Sequence, residues 1–256
     1  IAAIRTADPR PLFEAVASEL LDLVGAPRIS IELAKQTTTS VEAYRHYLEG
    51  LRHLNRWRLR EADSAFALAL KADSTFALAY YKKSLGIGWI APGLMEQGPL
   101  LDNAIKYVDR LPPRQQELVR GHVELSRGFE GLYLKRDTVM ARERFLGARN
   151  RLARLVAGDT TDAEAWYALA DADFHLAFNT AMVGSADSLA KYLTSSLRGF
   201  NRTIALDSSF HLAFQHLTDL YQRAATPRML IVLSGDSILP GGLVEVERRI
   251  GTPEQV

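Results

Sequence analysis

Phe66-Ala-Leu-Ala-Leu-Lys-Ala-Asp73-Ser-Thr-Phe76-Ala-Leu-Ala-Tyr-Tyr81 returns later in the chain as Phe200-Asn-Arg-Thr-Ile-Ala-Leu-Asp207-Ser-Ser-Phe210-His-Leu-Ala-Phe-Gln215. Phe66 aligns with Phe200, Asp73 with Asp207, Phe76 with Phe210, and Leu78-Ala79 with Leu212-Ala213. A weaker third copy runs from Leu152 through Asp159 to Ala165-Trp166. Each copy reads as the end of one helix, an Asp, a short turn and the start of the next helix. Self-similarity of this kind is the signature of stacked repeats, whose units bury their apolar faces on their neighbours.

Outward from these copies the chain reads as helix pairs set by apolar residues three and four apart. The spacing predicts helices over 41–55 with 58–73, 75–90 with 98–110, 113–134 with 137–157, and 162–178 with 186–206. A last helix is predicted over 209–224. Pro92-Gly93, Pro112-Pro113, Gly158-Asp159 and Gly184 punctuate the pairs. Ahead of them, Leu12, Phe13, Val16, Leu20, Leu21 and Val24 form one stripe on a helix over 9–24, with Asp8 and Pro9 at its start. Residues 1–39 are therefore read as an N-terminal helix and linker closing a preceding domain, 40–224 as the repeat array, and 225–256 as a C-terminal tail.

Composition bounds the function. The 256 residues are 47% apolar and 24% charged, an ordinary globular balance. Net charge is +1, from 31 basic and 30 acidic residues, so nucleic acid is not an expected partner. There is no cysteine, which excludes disulfides, thiolate catalysis and cysteine-based zinc sites. No run approaches 18 apolar residues, so no membrane span is expected in this chain. The chain starts at Ile1 rather than Met, and is read as a piece of a longer or processed protein.

The first pair resembles a tetratricopeptide repeat. Gly50 stands at its small helix-A site, and Ala62, Phe66 and Ala69 stand at its Ala, Phe and Ala sites on helix B. Ser74 replaces the usual proline, and His53 stands where Tyr is favoured. Tyr80 and Trp166 take the Trp site of later units, with Leu169-Ala170 at the Leu-Gly sites. The third and fourth units are longer than the family's 34 residues. Over roughly 10–224 the stretches "PLFEAVASELL", "RLPPRQQELVRG" and "DAEAWYALADADFHLAF" resemble the C-terminal sensor regions of multidomain bacterial serine/threonine protein kinases and related signalling proteins. The resemblance implies an all-α fold, a right-handed solenoid of helix pairs, and the residues after 224 read as a short irregular, β-prone tail. It also implies a non-catalytic interaction scaffold or sensor that captures a peptide or protein in a concave groove. Such arrays often lie beyond a transmembrane helix, so an extracytoplasmic, periplasmic location is expected over a cytoplasmic one. Kinase activity does not carry over, because no Gly-rich nucleotide loop, His-Arg-Asp or Asp-Phe-Gly is present.

Carrying over the family's groove positions gives partner-binding candidates Tyr44, Tyr47, Leu51 and Asn55, then Tyr81, Leu85 and Trp89. Later units give Tyr167, Asp171, Phe174 and His175, then Gln215, Asp219 and Arg223. The alternative is that these aromatics are internal packing. Asp171 and His175 are four apart on one helix face and offer two metal ligands, but no third is identifiable, so no metal or cofactor is expected. His211 and His216, five apart, share no clean face and read as surface or packing residues. The arginines of 45–60 and 142–154 are accompanied by Glu42, Glu49, Glu61 and Glu143 and read as a solvated surface.

In the tail, Met229 to Ile238 resembles the opening block of Gly-Asp-Ser-type esterases, with Ser237 as nucleophile. No His follows it, so a base is missing and no hydrolase is expected. The apolar run 229–233 is expected to be covered, by the last helix or by another chain. Two other readings remain open: an accessory subunit of a larger, membrane-associated complex, and a regulatory domain that binds a small molecule.

Overall fold

The structure, a computed structural model, describes residues 37–90, 94–178 and 186–224. The helix expected over 9–24, the tail from 225 with its 229–233 segment and Ser237, and the breakers Pro92-Gly93 and Gly184 lie outside the described residues. Among the described residues there are nine α-helices and no strand. They are α1 (Val41–Leu54), α2 (Leu59–Ala72), α3 (Ala77–Ile90), α4 (Leu94–Lys106), α5 (Pro113–Phe129), α6 (Thr138–Gly158), α7 (Ala163–Phe178), α8 (Ala186–Leu206) and α9 (His211–Ala224). Helices adjacent in sequence pack on one another: α1 on α2, α2 on α3, α3 on α4, α6 on α7, α7 on α8 and α8 on α9. No helix is long and apolar enough to cross a membrane among the described residues.

The chain divides into two compact units, 1–116 and 117–256. In the first, Ser40 caps α1 by accepting from the Ala43 amide at 3.1 Å, satisfying a donor that the helix cannot. Phe66 of α2 is fully buried and packs against Gly50 of α1, so closely that a Cβ there would overlap the ring. Glycine at this point is a packing requirement. Tyr47 lies 5.9 Å from Phe66 and 4.9 Å from Phe76, centroid to centroid. In the second unit the same triangle is built again: Tyr167 lies 5.9 Å from Phe200 and 4.9 Å from Phe210.

The turns repeat as well, atom for atom. Asp73 Oδ1 accepts the Thr75 amide at 2.9 Å and the Thr75 hydroxyl at 2.7 Å. Asp159 accepts from the Thr161 amide and hydroxyl at the same distances, and Asp207 from Ser209. An Asp whose side chain turns the chain two residues on competes with helix continuation, which is why each helix stops there. The next helix is then tied back: Tyr80 donates its hydroxyl to the Ser74 carbonyl at 3.2 Å, and Trp166 Nε1 donates to the Thr160 carbonyl at 3.0 Å.

Two elements depart from the helical period. The helix expected to run to 134 is α-helical only to Phe129; Glu130–Lys135 form a π-turn, closed by Arg136 in the left-handed region at φ 55°. The helix α4 opens at Leu94, ahead of the expected 98, and carries Pro99 in its interior rather than at its start.

Candidate functional site

The helix α7 carries Ala-Asp-Ala-Asp-Phe-His over 170–175, and its polar side chains point to different neighbours. Asp173 faces α6 and α8, accepting Arg149 Nε and the Ser195 hydroxyl, each at 2.5 Å. Burial pushes its carboxyl up, against the hydroxyl and guanidinium that pull it down. Asp171, one half-turn earlier, faces α9. Its Oδ1 lies 3.0 Å from His175 Nε2 on the same helix and 3.0 Å from His216 Nε2 on α9. Burial alone would raise the Asp171 carboxyl, but the two imidazoles outweigh it and hold the group well below the usual carboxylate range.

His216 is 3% exposed and fixed from both sides. Its Nδ1 lies 3.1 Å from the Leu212 carbonyl oxygen, one turn back. A carbonyl oxygen only accepts, so Nδ1 carries the proton and donates it. Phe200 stacks on the imidazole at 4.8 Å, and Phe174 meets it edge-on at 4.9 Å. His175 is half-buried, edge-on to Phe129 at 4.5 Å, immediately before the π-turn. Ligand atoms of Asp171, His175 and His216 all lie within 4.8 Å of one another.

This arrangement corrects one reading of the sequence. A third candidate ligand to join Asp171 and His175 does exist. Of the two alternatives read for His216, surface or packing, the structure shows packing: it sits in the stripe Leu212, Ala213, His216, Leu217, Leu220 on the buried face of α9. A polar residue at an apolar register position was the available signal. The repeat pairs His216 with Lys82, also buried, at the corresponding place in the first unit. His211 is exposed.

The other sequence candidates separate by burial. Tyr44, Tyr47, Tyr81 and Tyr167 are only 2–4% exposed, and Leu85 and Phe174 are buried with them. Leu51, Asn55 and Asp219 are half-buried, Gln215 is exposed, and the Arg223 side chain lies outside what is described. Trp89, at the end of α3, is 36% exposed and meets Trp57 edge-to-face at 5.1 Å. Trp57 holds φ 58° in the turn after α1, where its amide bonds the Leu54 carbonyl and the Arg58 amide bonds that of His53. That pair of bonds is a helix stop in which the left-handed position normally belongs to glycine. Arg52, Arg56, Arg58 and Arg60 are exposed along the same segment.

No family model and no curated protein matches this chain.

Proposed function

We propose that this chain is a non-catalytic interaction module, a right-handed array of tetratricopeptide-like helix hairpins that holds a protein or peptide partner. The repeated turn and the repeated Tyr–Phe–Phe triangle support the array. The observation that carries the binding role is the Trp57–Trp89 pair. An exposed tryptophan supplies area with a polar handle, the residue type most enriched at binding hot spots. Trp57 also occupies a left-handed position at a cost of about 1–2 kcal/mol that glycine would avoid. Retaining a bulky side chain there favours a use for the ring. Exposed arginines beside the pair favour a partner segment that sets acidic residues next to apolar ones. The tyrosines carried over from the family's groove pack inside the module and shape it; of the other groove candidates Trp89 and Gln215 are exposed, and Leu51, Asn55, His175 and Asp219 half-buried.

The test is binding by Trp57→Gly and Trp89→Ala variants. Trp57→Gly removes the ring while relieving the backbone, so the fold is retained. A partner isolated with the unsubstituted chain should be held at least about 30-fold more weakly by each variant. Undiminished binding by both would refute this reading.

A further inference from the structure

We propose that Asp171, His175 and His216 form a binding site for one divalent transition-metal ion of the zinc type, which ties α7 to α9. The set is two imidazole nitrogens and one carboxylate oxygen, donors that suit Zn²⁺ and its neighbours rather than Mg²⁺ or Ca²⁺. The two imidazole–carboxylate spacings suit such an ion, and all three ligand atoms lie within 4.8 Å of one another. Ligands about 2.0–2.1 Å from a tetrahedral zinc stand roughly 3.3 Å apart. Both imidazole Nε2 atoms are 3.0 Å from the same carboxylate oxygen.

The orientation of His216 is the second, independent observation. Its Nδ1–H is given to the Leu212 carbonyl, which turns Nε2 toward Asp171 Oδ1 at 3.0 Å. An imidazole nitrogen and a carboxylate oxygen at that distance are bridged by a proton or by a metal ion. Donation of the second ring nitrogen to a backbone carbonyl is the usual way a ligating histidine is held, since it sets the tautomer and raises the basicity of the other nitrogen. Phe174 and Phe200 pack against His216 and hold it in place. His175 is half-buried, so the fourth coordination position opens toward solvent and water.

The experiment titrates the whole, chelator-treated chain with Zn²⁺ by calorimetry, and with Co²⁺ by visible absorption. The expected result is one ion per chain, a raised thermal midpoint, and the d–d bands of nitrogen–oxygen coordination. Asp171→Asn and His175→Ala should each weaken binding by at least about a hundredfold, since loss of outer-sphere partners alone costs 10–100-fold. His53→Ala, on α1, should leave binding unchanged. Where a variant loses its helical circular dichroism, the wild-type Co²⁺ spectrum decides: a hexaaquo-like spectrum overturns the proposal. It is equally overturned if wild type binds no ion at micromolar concentration, or if binding survives in both Asp171→Asn and His175→Ala. The last two outcomes leave a proton between these groups, and a purely structural triad.

Discussion

The contact between Phe66 and Gly50 can be weighed by a double-mutant cycle. Phe66→Ala empties a fully buried site between α1 and α2. Loss of the ring from water-free packing plus the residual cavity should cost about 3–5 kcal/mol. Gly50→Ala acts in two opposed ways. Alanine favours the helix by about 1 kcal/mol over glycine, but its Cβ would overlap three atoms of the Phe66 ring, and overpacking costs about 1–3 kcal/mol. The single substitution should therefore be neutral to about 2 kcal/mol destabilising. With the ring gone, the same methyl enters vacated space. It then gains the full helix preference and roughly 0.8 kcal/mol of buried CH₂. Gly50→Ala should thus stabilise the Phe66→Ala chain by about 1–2 kcal/mol, a coupling of roughly 2 kcal/mol. Urea unfolding, followed by the emission of Trp57, Trp89 and Trp166 and by circular dichroism, measures it. Costs that add within about 0.5 kcal/mol would show that the two residues do not touch, and the helix register argued from the repeat would fall with them.

Phe200→Ala should cost the same 3–5 kcal/mol as Phe66→Ala, because it vacates the equivalent corner of the second triangle; a surface-like effect below about 0.5 kcal/mol would contradict the equivalence. Phe214 stands where Tyr80 and Trp166 stand in the other copies but has no donor for the Ser208 carbonyl, so Phe214→Tyr should stabilise thermal unfolding by about 0.5–1 kcal/mol. Burial raises the Asp73 carboxyl, but hydrogen bonds from Thr38 and Thr75 and the charge of Arg110 outweigh it and leave the group below its ordinary value. A depressed folded value means a stabilising contribution present above the unfolded carboxylate range near ~3.9 and lost as pH falls through the folded value. Unfolding of wild type should therefore steepen with acid below about pH 5, and Asp73→Asn should flatten that slope; parallel profiles would refute the assignment.

Much of the fold could be read in advance because its signals are local. Apolar residues three and four apart mark the helix faces, and Asp73, Asp159 and Asp207 stop helices through bonds to residues two positions on, so both lie within a few residues of sequence. The π-turn at 130–135 was not legible, since it continues a helical apolar pattern and differs only in backbone hydrogen bonding. The candidate site was half legible for a related reason. Asp171 and His175 share one helix, whereas His216 joins them only because α9 packs after α8, a tertiary fact that periodicity does not carry. The buried tyrosines mark the same boundary. Helical spacing tells which residues share a face, but Tyr47 and Tyr167 turn inward because Phe76 and Phe210, entering the next helix, close over them.

The central claim is that 66–81 and 200–215 are one packing unit used twice. Aromatic nuclear Overhauser contacts in a chain labelled at Tyr and Phe test it most directly, since ring centroids 4.9 Å apart bring ring protons within range. Cross-peaks are expected from Tyr47 to both Phe66 and Phe76, and the matching pair from Tyr167 to Phe200 and Phe210. Contacts present in one set and missing from the other would contradict it.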